Sequence, residues 1–349
     1  MDKTFFWIII TTLLLFFSNC RPVKPLEQLQ TDQIKLMFYN VENLFDTQND
    51  PNTNDDEYLP ESELKWDETR YEKKLGNLAK VIKAACNNDT PAFLGLCEIE
   101  NKQVVEDLVK HFASPGQSFG IVHKDSPDER GIDVALVYDK DIFQLEKQEF
   151  LTITLPPPYS NDRTRDILMA EGKIGNDKLY VFVNHWPSRR EGETVSEPKR
   201  LAAANTLKQR IDRIEANDKN ANIVIIGDFN DEPTNKSITE VLGAKAPDQS
   251  TPPQAATLYN LTYPIKQQGK GSYNYQGEWN MLDQIIVSGH LLEGKGIFTT
   301  PNSVIIFQED WMMYKHAKDG PKPSRTYAGP KYIGDYSDHL PSVLTLNIK

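Results

Sequence analysis

Residues 222–231, NIVIIGDFND, read as a β-branched strand that runs into a polar turn at Asp228 and Asn230. Taken alone, Gly-Asp-Phe-Asn is ordinary turn chemistry, because Asp and Asn bond their own backbone. What decides the fold is that the arrangement recurs. LMFYN ends in Asn40, FLGLCE in Glu98 and YVFVNH in Asn184-His185. Two more runs carry the polar group at their start: Asp283 before Gln-Ile-Ile-Val, and Ser337-Asp338-His339 before Leu-Pro-Ser-Val-Leu. In antiparallel neighbours the end of one strand lies beside the start of the next, so all six groups can converge on one rim of a sheet.

Outward from that stretch, strands are expected at 34–40, 92–97, 132–138, 164–173, 178–184, 222–226, 281–287 and 342–347. From Asp67, apolar Tyr71, Leu75, Leu78, Ile82 and Ala85 recur at the spacing of one helical face. A second helix is expected to be capped by Ser196, with Pro198 in its first turn and Leu201, Ala204, Leu207, Ile211 and Ile214 as its apolar stripe. Asp46 to Glu63 has no period and reads as a long acidic loop. Many strands with few helices, and no internal repeat or composition break, predict one α+β domain over 34–349 with two packed sheets and helices outside them.

The chain has 349 residues, 39% of them hydrophobic, which excludes a disordered or collagen-like protein. Lys plus Arg number 39 against 50 Asp plus Glu, a formal net charge of -11 that weighs against a nucleic-acid-coating protein. It leaves room for a nuclease, which needs only a local cationic groove. The apolar run Phe5–Phe17 is too short to span a bilayer. With Lys3 before it and Ser18-Asn19-Cys20 after it, residues 1–19 have the layout of a secretory signal. The ending resembles a bacterial lipobox, which would make Cys20 a lipid anchor in the cell envelope and 20–33 a tether. Cys86 and Cys97 form either one bridge or two small buried hydrophobes.

The rim residues include four carboxylates, three amides and two histidines. Oxygen donors without thiolates suit Mg²⁺ or Mn²⁺. A histidine beside an aspartate supplies an oriented acid-base partner. No activated Ser or Cys is evident, so the inventory points to phosphate-ester hydrolysis by direct attack of water.

The motifs FYNVENLF, GLCEIEN, VNHWPSR, GDFND, LDQI and SDHLP, in this order, resemble the endonuclease/exonuclease/phosphatase superfamily, the deoxyribonuclease I-like fold. The resemblance implies a four-layer α/β/β/α sandwich of two mixed sheets and a divalent-metal site at one rim. It implies that Glu98, with Asn40 and Asp338, holds the metal. Asp228 and Asn230 resemble the pair that orients the attacking water, His339 would pair with Asp283, and His185 stands for the first histidine of the nuclease branch. Arg165 resembles a phosphate-contacting arginine, with Arg163 as its competitor; His185 and Asn230 join it at the phosphate. Asn-Val-Glu-Asn-Leu-Phe most resembles exported bacterial nucleases, so a monomeric endonuclease acting on DNA or RNA is the first expectation. Lys173, Arg189, Arg190, Lys199 and Arg200 are candidate backbone-holding cations. Alternatives are a sphingomyelinase-like phospholipid phosphodiesterase touching a membrane through Trp311–Tyr314, a small phosphate-ester phosphatase, and a non-catalytic binding lipoprotein.

Overall fold

The computed structural model describes residues 32–248, 250–316 and 320–349. The signal segment, Cys20 and nearly all of the tether lie outside the described residues. In chain order the elements are β1 (Asp32–Leu44), α1 (Glu68–Ala85), β2 (Phe93–Ile99), α2 (Lys102–Phe112), β3 (Phe119–His123), β4 (Asp133–Asp139) and β5 (Gln144–Leu151). Then come β6 (Ile167–Ile174), β7 (Asp177–His185), α3 (Glu193–Asn217), β8 (Asn222–Asp228), β9 (Leu258–Asn260) and α4 (Tyr263–Gln267). The hairpin of β10 (Tyr273–Tyr275) and β11 (Glu278–Asn280) precedes β12 (Asp283–Ser288), β13 (Ile297–Phe298) and β14 (Val304–Ile306). Two further strand pairs, β15 and β16 (Met313–His316, Gly320–Pro323) and β17 and β18 (Tyr327–Ala328, Lys331–Tyr332), lead to β19 (Ser342–Ile348).

One sheet runs β13, β19, β1, β2, β4, β3, with β14 also paired to β19. The other runs β5, β6, β7, β8, β12, β9. Each is mixed, since β1–β2 and β7–β8 are parallel among antiparallel neighbours. Alternation along the strands sorts the side chains into layers. Leu36, Phe38, Phe93 and Leu136 meet Val181, Val183, Val224 and Ile226 between the sheets. Met37, Tyr39, Leu94 and Leu96 face the helices α1 and α2, while Phe182, Ile223 and Ile225 face α3. Two helices, two sheets and a third helix are thus the expected four layers. The sheets approach so closely that a Cβ on Gly95 would sit 2.5 Å from Ile226 Cδ1.

Helix α1 begins as expected, the Asp67 carboxylate capping the Arg70 N–H at 3.0 Å. Helix α2, which the sequence reading passed over, is capped by Asn101 and buries Val104, Val105, Leu108 and Phe112. Two expectations are corrected. Helix α3 starts at Glu193 after Gly192, so Ser196 lies inside it. Its first turn is held by buried Arg200, which donates to Ser196 Oγ at 2.7 Å and the Glu193 carbonyl at 2.8 Å. The first strand starts at Asp32, within the expected tether, and continues past Asn40 to Leu44 through a register shift. Of the two readings of Cys86 and Cys97, the buried, unbridged one holds. Among the described residues no helix is long and apolar enough to cross a membrane.

Candidate active site

Register brings the polar strand ends together. His185 at the end of β7 lies beside Asp228 at the end of β8, and Asp228 is opposite Asp283 at the start of β12. On the other sheet Asn40 pairs with Cys97, next to Glu98. The local backbone is built for close approach: a Cβ on Gly227 would sit 2.4 Å from the Asn184 carbonyl oxygen. Glu98 and Asn230 have left-handed backbones, with φ of 60° and 49°. Asparagine tolerates this conformation; for Glu98 it is strain of about 1–3 kcal/mol, of the kind that clusters at functional sites.

The side chains then interlock. The Asn40 amide donates to Asp228 Oδ2 at 3.1 Å and Glu98 Oε1 at 3.4 Å. The Asn43 N–H donates to Glu98 Oε2 at 3.0 Å, and the Asn230 N–H to Asp228 Oδ1 at 2.9 Å. Asn230 Nδ2 donates to the Trp186 carbonyl at 3.0 Å. His339 Nδ1 bonds Asp283 Oδ2 at 2.7 Å, and its ring lies 4.7 Å from that of Tyr273. Asp228 Oδ2 stands 3.8 Å from His185 Nε2 and 4.0 Å from His339 Nε2. These gaps are too long for direct bonds, and an oxygen seated to one side of them, in the cavity, can bond both ends.

Environment separates the two histidines. Burial, then the charges of Arg165 and Arg130, push the His185 pKa well below the usual imidazole range, so its ring is neutral. Burial also works against charge on His339, but the Asp283 carboxylate and its hydrogen bond outweigh it and carry that pKa well up. Burial and the nearby Asp283 charge push Asp228 up to about 6. Glu42 is pushed to about 8 by burial and by Asp338.

These groups form the floor of a cavity of about 1320 Å³. Its sides include Tyr58, Arg130, Arg189, Arg190, Tyr275 and Arg325. Of the expected site residues, Glu98, His185, Asp228, Asn230, Asp338 and His339 line it, with Asn40 and Asp283 bonded directly behind. Arg165 is corrected: it lies buried behind the cavity, donating to Asp128 at 2.9 Å and the Trp186 carbonyl at 2.7 Å. Neither it nor Arg163 lines the cavity. Three of the candidate cations are likewise elsewhere, with Lys173 on Glu146, Lys199 on Asp162 and Arg200 on Asp231. The sequence reading missed Glu42, Arg130 and Arg325, which lie in loops or a bulge with no period to mark them. Of the Trp311–Tyr314 cluster, Met312 is buried and Trp311 lies under Lys80 at 3.9 Å and against Tyr336. Tyr314 alone in the cluster is exposed.

The donor set fits a divalent cation. Glu98, Asp228 and Asp338 bring hard carboxylate oxygens to one cavity, and two of them share the single Asn40 amide. Asp228, Asp283 and His339 also hold ligand atoms within 4.8 Å of one another. Asp338 is held by Arg325, which a cation at Glu98 would have to share it with.

The endonuclease/exonuclease/phosphatase family model matches residues 35–348. The chain belongs to that family. Its members are metal-dependent phosphoester hydrolases, and the chain is an enzyme of that class. Solved structures of the same fold include truncated TDP2 from Caenorhabditis elegans, 17% identical with a TM-score of 0.52, covering 91% of this chain and 98% of that one. A mannosyl-6-phosphatase of Bacteroides thetaiotaomicron is 14% identical with a TM-score of 0.53, covering 90% and 99%. The human nocturnin catalytic domain with bound sulfate is 16% identical with a TM-score of 0.52, covering 92% and 98%. These likenesses are of fold. No curated protein matches the sequence.

Proposed function

We propose that this family member is an exported endonuclease that hydrolyses phosphodiesters of DNA or RNA by direct attack of water. The observation that carries the reading is the pair of gaps at Asp228 Oδ2, 3.8 Å to neutral His185 and 4.0 Å to protonated His339. An oxygen seated beside them meets a carboxylate whose pKa, about 6, suits a base near neutral pH. Asp228 takes the proton of the attacking water, which Asn230 helps to orient. His339, held by Asp283, keeps its proton and donates to a phosphoryl oxygen. His185 offers the same oxygen an uncharged contact. Asn40, Glu98 and Asp338 would hold Mg²⁺ or Mn²⁺, which when bound polarises the phosphoryl group and steadies charge on the leaving oxygen.

Nucleic acid is favoured by Arg130 and Arg190 beside this floor and by exposed Tyr275 on the cavity side, a face on which a base can stack. A second reading, a small phosphate ester, is supported by acidic Asp56, Glu57, Glu63 and Glu278 around the same cavity, which repel a long polyanion. The Trp311–Tyr314 cluster lends little to a phospholipid substrate, since it packs against Lys80 and Tyr336. A panel of plasmid DNA, single-stranded DNA, RNA, sphingomyelin and mannose 6-phosphate, with and without Mg²⁺, tests the choice. Metal-dependent cutting of nucleic acid is expected; turnover confined to the sugar phosphate would replace the first reading with the second.

The proposal extends to location. Residues 1–19 direct export, and lipidated Cys20 tethers a monomeric enzyme to the envelope. Cys20→Ala should move the protein from the membrane pellet to the soluble fraction; an unchanged distribution would refute the anchor.

A further inference from the structure

The buried face of α1 carries a single charged residue. Among Tyr71, Leu75 and Leu78 the helix buries Lys74, only 2% exposed, although a buried ammonium is costly unless it is paired and bonded. Its Nζ donates to Thr326 Oγ1 and to the Tyr336 carbonyl, each at 2.6 Å, and stands 3.9 Å from Glu42 Oε2. One amine thus joins three segments far apart in sequence: the bulge after Asn40, the loop before β17 and the loop before β19. Lys74 itself does not line the cavity.

Each contact lies within two residues of a group at the floor. Tyr336 precedes Asp338, and between them Ser337 Oγ donates to the Asn40 carbonyl at 2.7 Å and accepts from the His339 N–H at 3.2 Å. Thr326 follows Arg325, the partner of Asp338, and its N–H donates to Glu42 Oε2 at 2.8 Å. Glu42 has a left-handed backbone, with φ of 51°, and its N–H donates to Asn40 Oδ1 at 3.0 Å. Anchoring of the last loop to α1 does not need the amine, because Asn77 Nδ2 donates to the Gly334 and Asp335 carbonyls at 3.0 and 3.1 Å. What Lys74 adds is the setting of Tyr336 against Thr326 and Glu42, both of which line the cavity.

We propose that Lys74 is a positioning residue of the divalent-cation site: from behind the cavity wall its ammonium sets Asp338 and Asn40 against Glu98, so that their oxygens stand ready for the ion. The inference rests on the reading of those three residues as the cation's ligands and deepens it. The sign of the effect is diagnostic. As a charge alone, Lys74 repels a divalent ion, and its removal should tighten binding. As a positioning group, its removal should weaken binding, since loss of a partner that orients metal ligands costs about 10- to 100-fold in affinity. A merely structural role would lower Tm and leave the affinity where it was.

Mn²⁺ alone is the probe, titrated into the full chain and followed by the paramagnetic resonance of the free ion, a readout that needs no turnover. Lys74→Met keeps the length of the side chain and drops the ammonium; it should weaken Mn²⁺ binding about tenfold. Thr326→Val removes one acceptor of the amine while leaving every charge in place, and should weaken binding by a smaller factor. It carries the test alone if Lys74→Met does not fold. Asn77→Ala should lower Tm and bind Mn²⁺ as the wild type does. Tighter or unchanged binding in either folded variant at Lys74 or Thr326, or an equal loss in Asn77→Ala, would overturn the positioning role. Glu98→Gln distinguishes the two readings. Binding lost there but kept in Lys74→Met and Thr326→Val overturns this inference alone, whereas normal binding in Glu98→Gln overturns the cation assignment and this inference with it.

Discussion

Two regions of the cavity are built in contrasting ways. The carboxylates Asp228 and Asp283 belong to strand ends, where ladder register sets one opposite the other, and Glu98 stands at a bulge near the end of β2. The arginines Arg130 and Arg190 stand in the loops before β4 and α3, and little but geometry holds them. One region is negative and rigid, the other positive and under-paired. On the proposed reading this is a division of labour: the sheets fix the groups that would bind metal and move protons, where small displacements are costly, and the loops carry groups that would meet the substrate's phosphates.

The carboxylate region should give the largest effects. A chelator is expected to abolish hydrolysis, and Glu98→Gln to lower kcat by roughly 10³-fold, in keeping with several kcal/mol of metal stabilisation. Substantial turnover in chelator would break the contrast at its root. His339→Ala and Asp228→Asn should each lower kcat by roughly 10²-fold or more, with near-wild-type folding checked by circular dichroism. If either rate stayed near normal, that residue would lose the role assigned to it.

The arginine region should respond differently, and Arg130 and Arg165 separate binding from support. Arg130→Ala should raise KM about tenfold with little change in stability. Arg165→Ala leaves Asp128 buried without its closest partner, so it should cost about 3–5 kcal/mol in urea unfolding. Equal losses of stability in both variants would place Arg130 in the scaffold instead.

The same contrast governs what the sequence revealed. A strand end announces itself, because an apolar run must stop and the residue at the stop is in plain view; Asn40, Glu98, His185 and Asp228 were legible for that reason. Two packed sheets with helices outside them followed from the strand count and two helical stripes, and the four-layer order from the family resemblance. Arg165 misled because adjacency to a strand says nothing of the face on which a long side chain ends, and here it turns inward to Asp128. Arg130, Arg325 and Glu42 lacked any period, and helix α2 is short enough that its Asn101 cap and four apolar residues passed for loop. Ser196 failed as a cap because a buried guanidinium, invisible to local rules, holds the preceding turn.

The smallest expected effect lies in the pH dependence of folding, and it carries opposite signs for the two regions. His339 sits among carboxylates that raise its pKa in the folded state, so its contribution to stability is full below the unfolded value near 6.5 and fades as pH rises through the folded value. His339→Gln in chelator should therefore lower Tm by several degrees at about pH 6, with the difference shrinking as pH rises through the raised folded-state value. His185 sits in burial and beside arginines that depress its pKa, so the unfolded chain binds the proton more readily and the native state loses stability as pH falls below about 6.5. His185→Gln should remove that penalty and leave the variant gaining on the wild type as the medium is acidified. Thermal melts of both variants across pH would read the two regions as slopes of opposite sign; parallel slopes would mean that the carboxylates and the arginines do not hold their histidines apart.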